Sequence, residues 1–175
     1  MSDAISREML KGAYSEGEAL EIYNCVKATG NFIGFAQRFI HDEDYQVARN
    51  ALWGLTKAND KELEQLQPIM HEFIDLAIAT GNSSVRRLAL SVAHRLKVTE
   101  EDLRTDFLDF CLEHMVDINE FPGIQSICMK HAYRISSFYP ELMGELIRTI
   151  KEMDMEYYKP AVKSVRRKIL EGKKL

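Results

Sequence analysis

The chain is poor in the features that most directly announce a secreted, membrane-bound or catalytic protein. Its cysteines number three, Cys25, Cys111 and Cys128. An odd count with no framework spacing excludes a disulfide-stapled scaffold and leads us to expect a reducing, cytoplasmic setting. The start, Met1-Ser2-Asp3-Ala4, has neither the basic residues nor the apolar stretch of a signal peptide. The longest apolar run, residues 32–36, falls far short of the roughly 20 residues that cross a bilayer, so no membrane span is expected. There is no Gly-x-Ser-x-Gly, no glycine loop to cradle phosphate and no His-Glu-x-x-His. No catalytic residue is therefore assigned and no cofactor is expected. His71 and Asp75, four apart, read as a surface hydrogen bond rather than an acid–base pair. Charge excess is small as well, 23 basic against 27 acidic side chains for a net of -4. Bulk charge alone thus draws the chain to neither nucleic acid nor an anionic membrane.

What the chain does have is repetition. Its 175 residues are 46% hydrophobic, enough for one domain with a true core. In the stretch 83–96, Val85, Leu88, Ala89, Val92 and Leu96 recur at i, i+3, i+4, i+7 and i+11, one apolar stripe on the helical period, with Asn82 as its N-cap. The stripe returns 38 residues earlier as Val47, Ala51, Leu52, Leu55 and Ala58, and 39 residues later as Ile124, Ile127, Cys128, His131 and Ile135. A looser copy, Tyr158, Ala161, Val162, Val165 and Ile169, is interrupted by Pro160. A period of about 38 residues made of helix pairs predicts an all-α solenoid, in which each pair buries its stripe on its neighbours.

The details of the repeat resemble a known family. Asp44-Tyr45-Gln46-Val47 followed by Ala51 and Leu55, and Asn82-Ser83-Ser84-Val85-Arg86 followed by Ala89 and Ala93, look like the second helix of a HEAT repeat. Ala48, Gln125 and Lys159 stand where Arg86 matches that family's arginine. The resemblance implies a right-handed α-α superhelix of HEAT-like repeats over a single domain, 1–175. Within it, 44–175 would form the repeats and 1–43 an atypical N-terminal cap.

Along the chain, Gly12, Gly17, Gly30 and Gly34 divide the cap into helices near 3–11 and 16–28 and a third carrying Phe32, Ile33, Phe35, Phe39 and Ile40. An aromatic stripe at helical spacing belongs in a core; its alternative is a docking face. Helices are then predicted over 44–58, 60–80, 82–97, 99–117, 122–137, 140–153 and 155–171. Pro68 should kink the second of these or mark its true beginning. Thr99 with Asp102 forms a capping-box-like entry. Trp53, the only tryptophan, lies off the stripe of its helix, toward the groove that the resemblance implies.

Charge sorts by helix. The first helices of the pairs, 60–80, 99–117 and 139–153, carry -11 in all, and the second helices with their exits, 44–58, 82–97, 120–137 and 154–175, carry +10. The resemblance places second helices on the concave face, which would be basic over an acidic exterior. Ten residues beyond the first stripe position stand Lys57, Arg95, Arg134 and Lys168, and near the end cluster Lys163, Arg166, Arg167, Lys168, Lys173 and Lys174. Helix-end cations also steady the helix dipole, by about 0.3–1 kcal/mol each.

One metal-like set exists, Cys111-x-x-His114 and Cys128-x-x-His131, each pair on one helix face. Cys128, however, occupies the column of Ala51 and Ala89, where a small buried residue is needed. No metal site is assigned.

These observations lead to a non-enzymatic binding module or scaffold for an acidic or phosphorylated protein partner. Its predicted contacts are Arg87, Arg95, Lys130, Arg134, Lys163, Arg166 and Arg167. Two alternatives stand beside it: nucleic-acid binding in the manner of HEAT-like DNA alkylation repair proteins, which also present a basic concave face, and a structural homo-oligomer.

Overall fold

The computed structural model describes residues 5–175, which fall into two compact units divided after Lys97. Every regular element among the described residues is helical. No helix among them is long and apolar enough to cross a membrane.

The first unit begins with α1 (Arg7–Lys11), α2 (Glu16–Thr29) and α3 (Phe32–Phe39). Ser15 and Glu18 close a reciprocal capping box at the start of α2, and Gly30 ends it at φ 69°, a left-handed conformation that suits glycine. Gly12 likewise ends α1, whereas Gly17 and Gly34 sit inside the first turns of α2 and α3 and break neither. Phe32, Phe35 and Phe39 all point into the core, each worth about 1.5–3 kcal/mol of burial, so this stripe is a packing face. Residues 1–4, where the first predicted helix would start, lie outside the described residues.

α4 (Tyr45–Leu55) is the hub of this unit, packing against α1, α2 and α3 and against α7 (Ser83–Arg95). Gly54 makes the α2 approach possible, since a Cβ there would lie 2.7 Å from Ile22 Cγ2. The predicted helix over 60–80 resolves into three pieces: α5 (Asp60–Leu63), a 3₁₀ stretch Glu64–Ile69 and α6 (Met70–Ala79). Pro68 has no N–H to donate and crowds the carbonyl one turn back, which ends the regular ladder and restarts it two residues later. Asn82 caps α7 by accepting from both Ser84 N and Val85 N at 3.0 Å.

The second unit holds α8 (Thr105–Val116), α9 (Pro122–Ser136), α10 (Pro140–Glu152) and α11 (Pro160–Leu170). Here α9 is the hub, packed on α8, α10 and α11. The Thr99–Asp102 box forms, with Asp102 Oδ2 accepting from Thr99 N at 2.8 Å, but it opens only the 3₁₀ turn Glu100–Asp102. The extended backbone at Leu103 and Arg104 then delays α8. Pro160 does not interrupt the last helix: it stands in the first turn, where its missing N–H costs nothing, and the preceding residues form a 3₁₀ turn, Met155–Tyr157.

A single device joins successive helices in both units. Arg86 on α7 donates from Nε to Ala77 O at 2.8 Å and from a terminal nitrogen to Thr80 O at 2.5 Å, satisfying carbonyls at the end of α6. Gln125 on α9, in the same register, donates to Asp117 O beyond α8 at 2.6 Å. Arg166 on α11 donates to Ile150 O in the last turn of α10 at 3.1 Å. The second helix of each pair thereby clamps the end of the first.

Candidate functional site

The second helices present their basic residues in three different states, and the structure distinguishes them by partner and burial. In the first state the cation belongs to the fold. Arg166 is held by its carbonyl contact. Arg95 donates to Thr56 O at 3.0 Å and lies 3.4 Å from Asp60 Oδ1. Lys57 pairs with Glu16, and Lys173 with Glu171 at 2.6 Å.

In the second state the cation is withdrawn from water. Arg134 is partly buried on α9, with one terminal nitrogen 3.4 Å from His131 Nδ1. Burial pushes its guanidinium down to about 10. A residue in this position is set for packing within the second unit rather than for an incoming partner. Lys130 and Lys168 are half-buried.

In the third state the cation faces solvent. Arg87 on α7 and Lys163 and Arg167 on α11 are exposed. Among the described residues none of these three has a carboxylate within salt-bridge distance. Of the seven predicted contacts these three and Arg95 are exposed, and Arg95 alone of the four is held, among the described residues, by a backbone carbonyl and an aspartate. Arg87 lies in the first unit, and Lys163 and Arg167 lie in the second.

Arg87 also lines a cleft of about 260 Å³ together with Tyr14, Arg49, Trp53, Ser84 and Leu88. Three elements assemble it: the turn between α1 and α2, the outer side of α4 and the first two turns of α7. Trp53 is half-buried and Tyr14 70% exposed. Sequence reasoning found Arg87 and singled out Trp53 but passed over Arg49 and Tyr14. A signal for Arg49 was present, since it stands 38 residues before Arg87 and, like it, two positions beyond the leading valine of its stripe. Ser164-Val165-Arg166-Arg167 repeats Ser84-Val85-Arg86-Arg87 letter for letter but lies seven residues beyond the register set by Tyr158, in which Pro160 takes the column of Arg87. In α9 that position is Ser126, which is buried and donates its hydroxyl to Pro122 O.

The cysteine–histidine set partly converges. Cys111 and Cys128 are fully buried and hydrogen-bonded to each other, and burial, followed by the Cys128 contact, pushes the Cys111 thiol well above its ordinary range. The histidines are engaged elsewhere: His131 stands edge-on to Phe107 with centroids 5.0 Å apart, and His114 Nδ1 lies 2.7 Å from Glu120 Oε2. Among the described residues no three metal-ligating side chains come together. A protonated thiol pair in an apolar layer is a packing feature.

A family model described as HEAT repeat domain matches residues 6–173. Neither the curated proteins nor the solved structures contain a match to this chain.

Proposed function

We propose that this protein, which belongs to the HEAT repeat family, is a binding module that recognises an acidic or phosphorylated segment of a protein partner through the second helices of its repeats. The observation that carries this reading is the sorting of charge. Second helices hold the net positive charge, and Arg87, Lys163 and Arg167 offer it to solvent, with no carboxylate within salt-bridge distance of any of them among the described residues. Exposed guanidiniums are weakly hydrated and present paired donors, which suits carboxylate and phosphate groups. Helical repeats supply the rigid frame, so little ordering cost is added when a partner docks.

The test is fluorescence anisotropy of labelled peptide pools, acidic, phosphorylated and neutral, over a salt series, with single-stranded and duplex DNA titrated in parallel. The reading expects the acidic or phosphorylated pools to bind, to weaken with added salt, and to be released by combined Arg87→Glu, Lys163→Glu and Arg167→Glu substitution. Binding of DNA alone, with the steep salt slope of counterion release, would replace it with the nucleic-acid reading. No binding of any probe at low salt would remove both.

A further inference from the structure

We infer that the cleft between α4 and α7 is a recognition pocket for a phosphorylated side chain followed by an apolar residue in a linear segment of the partner. This assignment rests on the binding reading above and gives it a location. The cleft's charge is of one sign: Arg49 and Arg87 both line it, and no carboxylate does. Two guanidiniums call for two negative charges, which a phosphomonoester near pH 7 supplies, at about -1.5 to -2, and a single carboxylate does not. Trp53 and Leu88 give the remaining wall an apolar surface, and Tyr14 and Ser84 add hydroxyls that can donate to phosphate oxygen. At about 260 Å³ the cleft takes one or two side chains.

The cleft is also built rather than incidental. Behind it, Asn50 is fully buried. Its Nδ2 donates to Leu10 O at 2.6 Å and to Ala13 O at 2.9 Å, fixing the turn that carries Tyr14. Both amide hydrogens are thereby used, and the carbonyl oxygen left over accepts from Arg49 Nε at 3.1 Å. One buried side chain thus sets both the Tyr14 turn and the Arg49 guanidinium, which has no carboxylate within salt-bridge distance among the described residues. Of the two acids that follow that turn, Glu16 pairs with Lys57, and Glu18 is committed to the α2 cap, accepting from Tyr14 N at 2.6 Å and Ser15 N at 2.7 Å.

Trp53 is the only tryptophan, so its emission reports on this cleft without a label. The experiment titrates the full chain with blocked hexapeptide pools in which phosphoserine precedes leucine, against pools carrying aspartate or serine instead of phosphoserine, and against inorganic phosphate. The same pools, labelled, are followed by anisotropy. A saturable change with the phosphoserine pool is expected, about tenfold weaker with aspartate and absent with serine. Arg49→Ala and Arg87→Ala should each weaken it by about tenfold, while Lys163→Ala with Arg167→Ala changes it less than about twofold, circular dichroism confirming that each variant is folded. Phosphoserine binding that survives Arg49→Ala with Arg87→Ala but disappears with Lys163→Ala and Arg167→Ala would overturn the cleft and leave the broader reading in place. Absence of phosphoserine binding, or an equal response to serine or to inorganic phosphate alone, would overturn the cleft as well. An oligonucleotide that quenches Trp53 with the same arginine dependence would overturn the peptide as its occupant.

Discussion

The α4–α7 face of the first unit and the α9–α11 face of the second are made from the same helix-pair element, and the first carries a cleft lined by two arginines and a tryptophan. Both use a second-helix side chain to clamp the end of the preceding helix, Arg86 in the first and Gln125 and Arg166 in the second. The two faces diverge at the next position along the helix. Arg49 and Arg87 share a cleft with Trp53, whereas α9 places Ser126 in that column and turns its hydroxyl back into the helix. Arg167, in a second copy of the Ser-Val-Arg-Arg motif, is exposed on α11. A repeat therefore fixes the clamping position and leaves the next position free to vary between arginine and serine.

The strongest way to break this contrast is charge reversal. Arg87→Glu should weaken phosphopeptide binding by roughly a hundredfold, the equivalent of one lost charge-assisted pair, and Arg167→Glu by no more than about twofold, both read by Trp53 emission. Equal losses would mean that general attraction, not the cleft, governs binding. The clamps come next. Arg86→Ala should cost about 1.5–3 kcal/mol, as expected for a charged donor to two otherwise orphaned carbonyls, and Gln125→Ala about 0.5–1.5 kcal/mol for a neutral one, measured by urea denaturation.

Acid should act more gently. Asp42 is held below its ordinary 3.8, first by the hydrogen bond from Arg7, and Asp44 below the same value, first by that from Lys11. A depressed carboxyl contributes stability that is present above 3.8 and lost as pH falls below it toward the lower folded value. The protection of amides around α1 and α4, taken relative to their intrinsic exchange at each pH, should therefore fall below about pH 4, and Arg7→Ala should remove the Asp42 contribution to that dependence. The smallest effect is expected at Arg134. Because burial lowers its guanidinium to about 10, the charge is carried at some cost at neutral pH, and Arg134→Met should leave the melting temperature unchanged or slightly raised.

The fold was legible because hydrophobic period and capping agree: the stripe led by Val85 and the Asn82 cap both appear as α7. Boundaries failed where proline and 3₁₀ geometry intervene, at Pro68 and ahead of Pro160, since periodicity does not report which hydrogen-bond ladder the backbone adopts. The site was less legible. The basic column ten residues beyond the stripe start was the conspicuous one, but it contains Lys57 paired to Glu16, Arg95 against Thr56 O and Arg134 partly buried. The column two residues beyond the stripe start contains Arg49 and Arg87, and its difference lies in direction and neighbours, which only packing settles. Tyr14 could not be placed from sequence at all, because it reaches the cleft through the tertiary hold of Asn50 on the α1–α2 turn.

The most direct test of the account is a titration of isotope-labelled protein with the phosphoserine–leucine pool, followed by amide and indole resonances. The account predicts that the Trp53 indole and the backbone around Tyr14, Arg49, Ser84 and Arg87 shift first and saturate together, with residues 159–175 unmoved. Shifts confined to 159–175, or none in either region, would contradict it.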